Sequence, residues 1–194
     1  MKTYENYVIT KPLDLDLKKL KVSCNILYNL ILREFDKDKL SYSGTSTVST
    51  KLFNSYNVLL YPLPQIWELH QEIRTMFREV SKSDEPFFTQ CWLNFYKTGD
   101  FIDWHRHGAP ELNSWHGFFC VDVEPSKTTY RIPNVVNDVD IIGKDNLLVL
   151  SKSDGDKHRT WGWDFERPRI TIAFDIVPAS FINPINSLNH WVPV

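Results

Sequence analysis

The sequence lacks several features that define large classes of protein. No run of apolar residues is long enough for a transmembrane helix, and the N-terminal MKTYENYVITK lacks the apolar stretch of a signal peptide. There is no internal repeat, low-complexity tract or Gly/Ser linker, which argues against solenoid and multidomain arrangements. We therefore expect residues 1–194 to form a single domain in the cytoplasm, with no membrane partner.

The sequence also lacks a large excess of charge of one sign and cysteines at a paired spacing. The net charge is −2, from 22 basic and 24 acidic residues, and no long Lys/Arg run is present, so a nucleic-acid partner is not supported. Cys24, Cys91 and Cys120 are odd in number and share no CxxC spacing. They are typical of reduced core residues in a reducing compartment. The sequence does not indicate an oligomeric state.

What the chain does contain is a large apolar and aromatic content, with 42% hydrophobic and 14% aromatic residues. Apolar residues at helical spacing predict a helix from about Asp16 to Phe35 and a second one following Pro64. The segment 41–50 between them, SYSGTSTVST, is predicted to be a polar loop or a short strand.

The pattern changes at Phe87. Short runs rich in β-branched and aromatic residues follow one another without intervening helices, which predicts an antiparallel sandwich or barrel. The fold class is therefore α+β, with the helices supporting one sheet. We predict a helical support over 1–86, a catalytic β-core over 87–178 and a packed C-terminal tail over 179–194.

Two segments of this β-region carry histidines in a pattern suited to metal binding. His105 and His107 are two residues apart, a spacing that places both imidazoles on one face of a strand. His158 ends a polar loop further along the chain. Two histidines at this spacing are weak evidence for a metal site on their own.

The strand that begins at Arg169 has an unusual inner face. Its apolar residues lie on one side, whereas Arg169, Thr171 and Ala173 share the other. A buried guanidinium requires an anion, and a carboxylate ligand would supply one. On the strand from Gln90, Asn94 and Tyr96 likewise face away from the apolar side.

Taken together, these motifs resemble the Fe(II)/2-oxoglutarate-dependent dioxygenases, including the prolyl-hydroxylase-like members. The matching residues are Tyr96-Lys-Thr-Gly99-Asp100, His105 six residues after Gly99, His158, and Arg169-Ile-Thr171. His107 stands where the family has Asp, and WHRHGAPELNSWHGFF is similar to a little-characterised branch with His-x-His. The resemblance covers roughly residues 88–178 and implies a double-stranded β-helix, also called a jelly-roll or cupin-like core.

The resemblance also implies a site and a reaction. Fe(II) would be held by His105, His107 and His158, and the far carboxylate of 2-oxoglutarate by Arg169 and Thr171. Tyr96 or Asn94 would add a hydrogen bond to the cosubstrate. With O2, such a site hydroxylates a substrate, here an unidentified small molecule or protein side chain. The predicted catalytic set is the three histidines and Arg169.

Other polar residues near these motifs leave alternatives open. Asp103 shares the strand parity of the two histidines and could replace His107 as a ligand, whereas Asp100 is better suited to a turn. His116 could point into the site, although a structural role is favoured. His70 and His190 are predicted to be structural or exposed.

Three further residues near His158 are predicted to lie outside the site. Arg167 precedes a proline and lacks strand context, so we expect it at the surface. Trp161 and Trp163 are expected in the core, with an aromatic lid over substrate as the alternative.

Two other functions remain compatible with the pattern. Three-histidine iron sites also occur in cupin-type metalloenzymes that use no 2-oxoglutarate. A jelly roll can also serve as a non-catalytic binding protein, because fold alone does not fix function.

Overall fold

The computed structural model describes residues 1–35, 44–108, 110–182 and 191–194. The α-helices of these residues are α1 (Leu17–Glu34), α2 (Val48–Lys51) and α3 (Ile66–Ser81). The strands are β1 (Lys2–Tyr4), β2 (Val8–Pro12), β3 (Phe87–Tyr96), β4 (Ile102–His105), β5 (Trp115–Asp122), β6 (Lys127–Arg131), β7 (Val139–Ile142), β8 (Leu147–Lys152), β9 (Lys157–Thr160), β10 (Arg169–Pro178) and β11 (Val192–Pro193).

Both predicted helices are confirmed. The first turn of α1 is capped by Asp16, whose carboxylate accepts a hydrogen bond from the backbone N–H of Lys19 at 3.2 Å. The buried residues of each helix recur at helical spacing and form one apolar stripe. These stripes join the same hydrophobic core as the strands, so packing against the sheet stabilises the helices.

The strands form two antiparallel sheets. The major sheet has the order β1-β2-β8-β5-β10-β3-β11, and the minor sheet has the order β4-β9-β6-β7. The predicted α+β class and antiparallel core are therefore confirmed. Chain neighbours such as β3 and β4 lie in different sheets, so the chain repeatedly crosses between them. This connectivity lets one cavity be lined by residues distant in sequence.

The central strands β3 and β10 separate the core from that cavity. They pair antiparallel from Arg169 opposite Tyr96 to Pro178 opposite Phe87. Their apolar face joins the helical core, where the ring of Tyr28 from α1 stacks on Phe95 with centroids 4.1 Å apart. Their other face lines the cavity, so the predicted assignment of the two faces is confirmed.

Some elements were not predicted. Strands β1 and β2 precede the helices and extend the major sheet, and β9 occupies residues assigned to a polar loop. In the segment 41–50, residues 41–43 lie outside the described part of the chain. The remainder forms a bridge from Thr45 to Ile102 and the start of α2. A single short run with few apolar residues gives no periodicity, which explains why β9 was missed.

In the described part of the tail, β11 pairs with Phe88 and Thr89 of β3. Cys24, Cys91 and Cys120 are all buried and free, in agreement with the prediction of reduced core thiols. Among the helices of the described residues, none has the length and apolar content needed to cross a membrane.

Gly117 of β5 is required by close packing between strands. A Cβ atom there would overlap the backbone carbonyl oxygen of Val149 and the ring of Phe174. We expect Gly117→Ala to lower the free energy of unfolding by about 1–3 kcal/mol, the usual cost of overpacking. Urea denaturation of the variant measures the loss. The control is Gly162→Ala, because no atom lies within 4 Å of a Cβ at that position. Equal stability of the two variants would contradict the packing argument.

Candidate metal centre

A cavity of about 330 Å³ lies between the two sheets. At one end it is lined by His105, His107 and His158. Elsewhere it is lined by residues of β3 and β10 that include Asn94, Tyr96, Arg169 and Thr171. Every site residue named from the sequence therefore borders the same cavity.

The three histidines come together from two chain segments. His105 is the last residue of β4 and lies opposite His158 of β9 in the strand register. The ring centroids are 4.3 Å apart for His105 and His158, and 5.1 Å apart for His107 with each of the others. One nitrogen of each ring lies within 4.8 Å of the others, a spacing that a single metal ion can bridge.

Two details of the sequence interpretation are corrected here. β4 ends at His105, so His107 joins the cluster from the loop after the strand and not through strand alternation. His158 lies within β9 and not at the end of a loop. The predicted proximity of the histidines is confirmed, but its cause is the pairing of β4 with β9 together with the turn after β4.

Hydrogen bonds at Nδ1 orient two of the rings. His105 Nδ1 lies 2.8 Å from the backbone carbonyl oxygen of Asp103, and His107 Nδ1 lies 2.6 Å from Oδ1 of Asp175. Both acceptors require the proton on Nδ1, so Nε2 is the nitrogen of each ring that could bind a metal ion. Partners of this kind behind metal-binding imidazoles fix ring orientation and raise ligand basicity.

The electrostatics suit neutral ligands at two of the three positions. Burial, reinforced by the neighbouring imidazoles, lowers the pKa of His105 to about 3 and that of His158 well below its ordinary value. Burial also opposes a charge on His107, but attraction from Asp175 outweighs it and raises the pKa of His107. His105 and His158 are thus neutral near pH 7, the form in which imidazole binds metals.

Arg169 lies on the same cavity face of β10, and its side chain is almost wholly buried. Its Nε donates to Oγ of Ser126 at 3.1 Å, and its guanidinium carbon lies 4.6 Å from the ring centroid of Tyr96. Its Nη1 atom is buried, and no described residue forms a hydrogen bond with it. A buried cation with an unsatisfied donor is costly, and an anion in the cavity would relieve that cost.

A polar network on β3 and β10 lies beside this guanidinium. Asn94 accepts a hydrogen bond from Thr50 at 2.6 Å and donates to Oγ1 of Thr171 at 3.1 Å. Because the Thr171 oxygen already accepts this bond, its hydroxyl proton can be donated to a ligand. Burial raises the pKa of Tyr96 despite the opposing charge of Arg169, so its hydroxyl also stays protonated.

The alternative ligands and the nearby residues can now be assigned. Asp103 is exposed, and its carboxylate is not part of the three-histidine group. Asp100 accepts from the backbone N–H of Lys97 at 2.8 Å, as expected of a turn residue. Arg167 is exposed and pairs with Asp122, which confirms its surface position.

The histidines outside the cluster, His70, His116 and His190, have different surroundings or lie outside the described residues. His116 is buried, and its ring centroid lies 4.6 Å from that of His107, but it does not line the cavity and its Nδ1 lies 3.0 Å from Oγ of Ser153, as expected for the favoured structural role. His70 of α3 is buried, and its Nε2 is 3.1 Å from the backbone oxygen of Pro193, in agreement with a structural role. His190 lies outside the described residues.

The two tryptophans after β9 border a different groove from the central cavity. Trp163 is buried against Tyr96 and Ile102, whereas Trp161 is 48% exposed. The core assignment is thus confirmed for Trp163 and wrong for Trp161.

The sequence interpretation missed three residues at the site. Asp175 continues the cavity face of β10 two residues beyond Ala173, so strand alternation could have found it. Asp156 lies two residues before His158 and approaches its ring. Ser126 reaches Arg169 from a turn between strands, and nothing local in the sequence indicates that contact.

Comparisons with known proteins identify the fold. No protein-family profile and no curated protein sequence matches this chain. Among solved structures, AviO1 from Streptomyces viridochromogenes is 12% identical with a TM-score of 0.64, covering 91% of this chain and 92% of its own. A prolyl hydroxylase from Trichoplax adhaerens, solved with a hypoxia-inducible-factor peptide, is 10% identical with a TM-score of 0.60, covering 91% and 86%.

A third match is the viral collagen prolyl hydroxylase of Paramecium bursaria Chlorella virus-1, solved with 2OG. It is 10% identical with a TM-score of 0.56, covering 89% of this chain and 97% of its own. The chain thus has the double-stranded β-helix fold of the 2OG-Fe(II) oxygenases, which confirms the predicted fold.

Proposed function

We propose that this protein is an Fe(II)- and 2-oxoglutarate-dependent oxygenase that hydroxylates a small molecule or a protein side chain. The observation that carries the proposal is the cavity itself, which holds a three-imidazole cluster and an unsatisfied, buried guanidinium. An imidazole cluster suits a transition metal, and the guanidinium suits the carboxylate of a ligand that reaches between the two.

His105, His107 and His158 would hold the iron. When bound, Fe(II) supplies the O2 chemistry that couples oxidative decarboxylation of 2-oxoglutarate to substrate oxidation. The chain's own contribution is to fix the three rings, two of which are oriented by hydrogen bonds at Nδ1. Three protein ligands leave positions for the cosubstrate and for O2.

Arg169 and Thr171 would hold the far carboxylate of 2-oxoglutarate. The Nη1 atom of Arg169 has no hydrogen-bond partner among the described residues, and the hydroxyl of Thr171 can donate because its oxygen already accepts from Asn94. Tyr96 stacks with the guanidinium and limits its rotation. A carboxylate fixed by such donors would orient the 2-oxo acid end toward the histidines.

The remaining cavity wall and the cavity volume limit which substrates can enter. Phe53, Trp92 and Phe118 supply an apolar surface that excludes water from the site. A volume of about 330 Å³ lies at the lower end of the range for small-molecule sites. With 2-oxoglutarate in place, only a small group can enter, such as a side chain or one end of a larger molecule.

The proposal predicts iron-dependent turnover of 2-oxoglutarate. Purified full-length protein with Fe(II), 2-oxoglutarate and O2 is expected to form succinate even without substrate, in proportion to the O2 consumed. Succinate is measured by chromatography and O2 by an electrode, and omission of iron provides the control. Tight iron binding without any succinate would contradict the proposal.

A second candidate is a three-histidine metalloenzyme that does not use 2-oxoglutarate. The neutral donor set favours it, because typical oxygenases of this fold have one carboxylate ligand. The two candidates differ at Arg169, which has no role in the second one. A non-catalytic binding protein is excluded if succinate forms.

A further inference from the structure

Two carboxylates lie directly behind the imidazole cluster. Asp175 of β10 contacts Nδ1 of His107 at 2.6 Å, and its side chain is 25% exposed. Asp156, just before β9, is 1% exposed and approaches both His116 and His158. Asp175 therefore lies behind His107, on the side away from its Nε2, and Asp156 lies beside Nδ1 of His158.

The surroundings of Asp156 are strongly polar for a buried position. Its Oδ2 is 3.2 Å from Nε2 of His116 and 4.0 Å from Nδ1 of His158. These three atoms are buried, and within the described part of the chain none of them forms a hydrogen bond. The hydroxyl of Tyr7 donates to Oδ1 at 3.4 Å. A small rotation of His158 would let its Nδ1–H donate to Asp156, which would satisfy two of these atoms and leave Nε2 for the metal.

The two carboxylates could compensate the positive charge of a bound metal ion. Three protein ligands that include one carboxylate offset one of the two positive charges of a divalent ion, but three neutral imidazoles offset none. An uncompensated divalent charge in a buried cavity is strongly unfavourable. Asp156 and Asp175 place two carboxylates beside the proposed ligands, as many as the positive charges of the ion.

We propose that Asp175 and Asp156 are positioning residues that supply, through His107 and His158, the negative charge that the ligands themselves lack. This inference rests on the proposed iron site. Each carboxylate would act on one imidazole. It would fix the tautomer and orientation of that ring and raise its basicity. Asp175 would thus stand in for the carboxylate that a His-x-Asp site places directly on the metal.

The first test compares metal affinities in the absence of turnover. We expect Asp175→Asn to weaken Fe(II) or Co(II) binding about 10- to 100-fold, the usual effect of removing such a partner. Affinity is measured anaerobically by competition with a chelator, and circular dichroism confirms folding. The matched control is Asp138→Asn, because Asp138 pairs only with the exposed Arg131 in the described structure. Its affinity should equal that of the parent protein.

A double-mutant cycle separates charge supply from a merely structural role. In a His107→Asp background the metal gains a direct carboxylate, and Asp175 would then face a second negative charge. In that background we expect Asp175→Asn to leave metal affinity unchanged or to increase it, whereas in the parent protein the same substitution lowers it. The same loss in both backgrounds would show that Asp175 acts only on the fold, which would overturn the inference.

Asp156 is tested by Asp156→Asn and by counting metal ions. One ion per chain and a 10- to 100-fold weaker affinity of the variant support the positioning role. Two ions per chain would overturn it, because His116, Asp156 and His158 would then be ligands of a second metal. If Asp156→Asn does not fold, the Asp175 cycle decides the inference. Failure of the parent protein to bind any metal would instead refute the proposed function.

Discussion

Replacing His158 with Ala is expected to lower Fe(II) affinity by more than about 100-fold, since loss of a ligand exceeds the effect of losing a residue that only hydrogen-bonds to a ligand. His158 faces His105 in the strand register, and its ring lies near all the other cavity histidines. Removing it would leave two imidazoles from a single short segment, which cannot form a facial set. Succinate formation should fall to the iron-free level.

Anaerobic titration with Fe(II), or with Co(II) as a spectroscopic substitute, measures this loss. The matched control is His70→Ala, which removes a buried histidine of α3 that contacts the backbone at Pro193 and does not line the cavity. Thermal unfolding of both variants is measured without metal, which separates a loss of stability from a loss of metal binding. Unchanged metal affinity in a folded His158→Ala protein would exclude this residue from the site.

Replacing Arg169 with Ala is expected to weaken 2-oxoglutarate binding by at least about 30-fold while metal affinity is retained. Truncating one partner of a buried, hydrogen-bonded charge pair costs about 2–5 kcal/mol. Arg169 is the cavity arginine whose Nη1 atom has no partner, so the far carboxylate of the cosubstrate would lose its main anchor. Calorimetry with the metal-loaded protein measures the change.

Two further variants show whether the loss of affinity is specific to the guanidinium of Arg169. Arg167→Ala removes a neighbouring arginine that is exposed and paired with Asp122, and it should bind 2-oxoglutarate like the parent protein. Arg169→Lys keeps the charge but loses the bidentate fork and the contact with Tyr96, so its affinity should be intermediate. Full affinity in Arg169→Ala would favour the three-histidine enzyme that uses no 2-oxoglutarate.

Much of the site could be predicted because strand alternation is a local property. The two-residue period assigns Asn94, Tyr96, Arg169 and Thr171 to one face, and the antiparallel pairing of β3 with β10 then brings the four together. The three histidines were grouped because their spacings match those of the family that the motifs resemble. Helices α1 and α3 were predicted for the same reason, since each has a continuous apolar stripe.

What could not be predicted depends on pairing between distant segments. β9 has too few apolar residues to show a period, so His158 was expected in a loop. The approach of Asp156 to His116 joins residues 40 positions apart, and Asp175 meets His107 across 68 positions. Such contacts are fixed by sheet order, which hydrophobic pattern does not reveal.

The most direct test of the account is anaerobic addition of Fe(II) and 2-oxoglutarate to the metal-free protein, followed by visible absorption spectroscopy. We expect a weak charge-transfer band that requires both additions and is absent in His158→Ala and Arg169→Ala. Tight binding of iron without a band on adding 2-oxoglutarate would contradict the role of Arg169 and favour the second candidate function. Failure to bind iron at all would contradict the assignment of the three histidines as a metal centre.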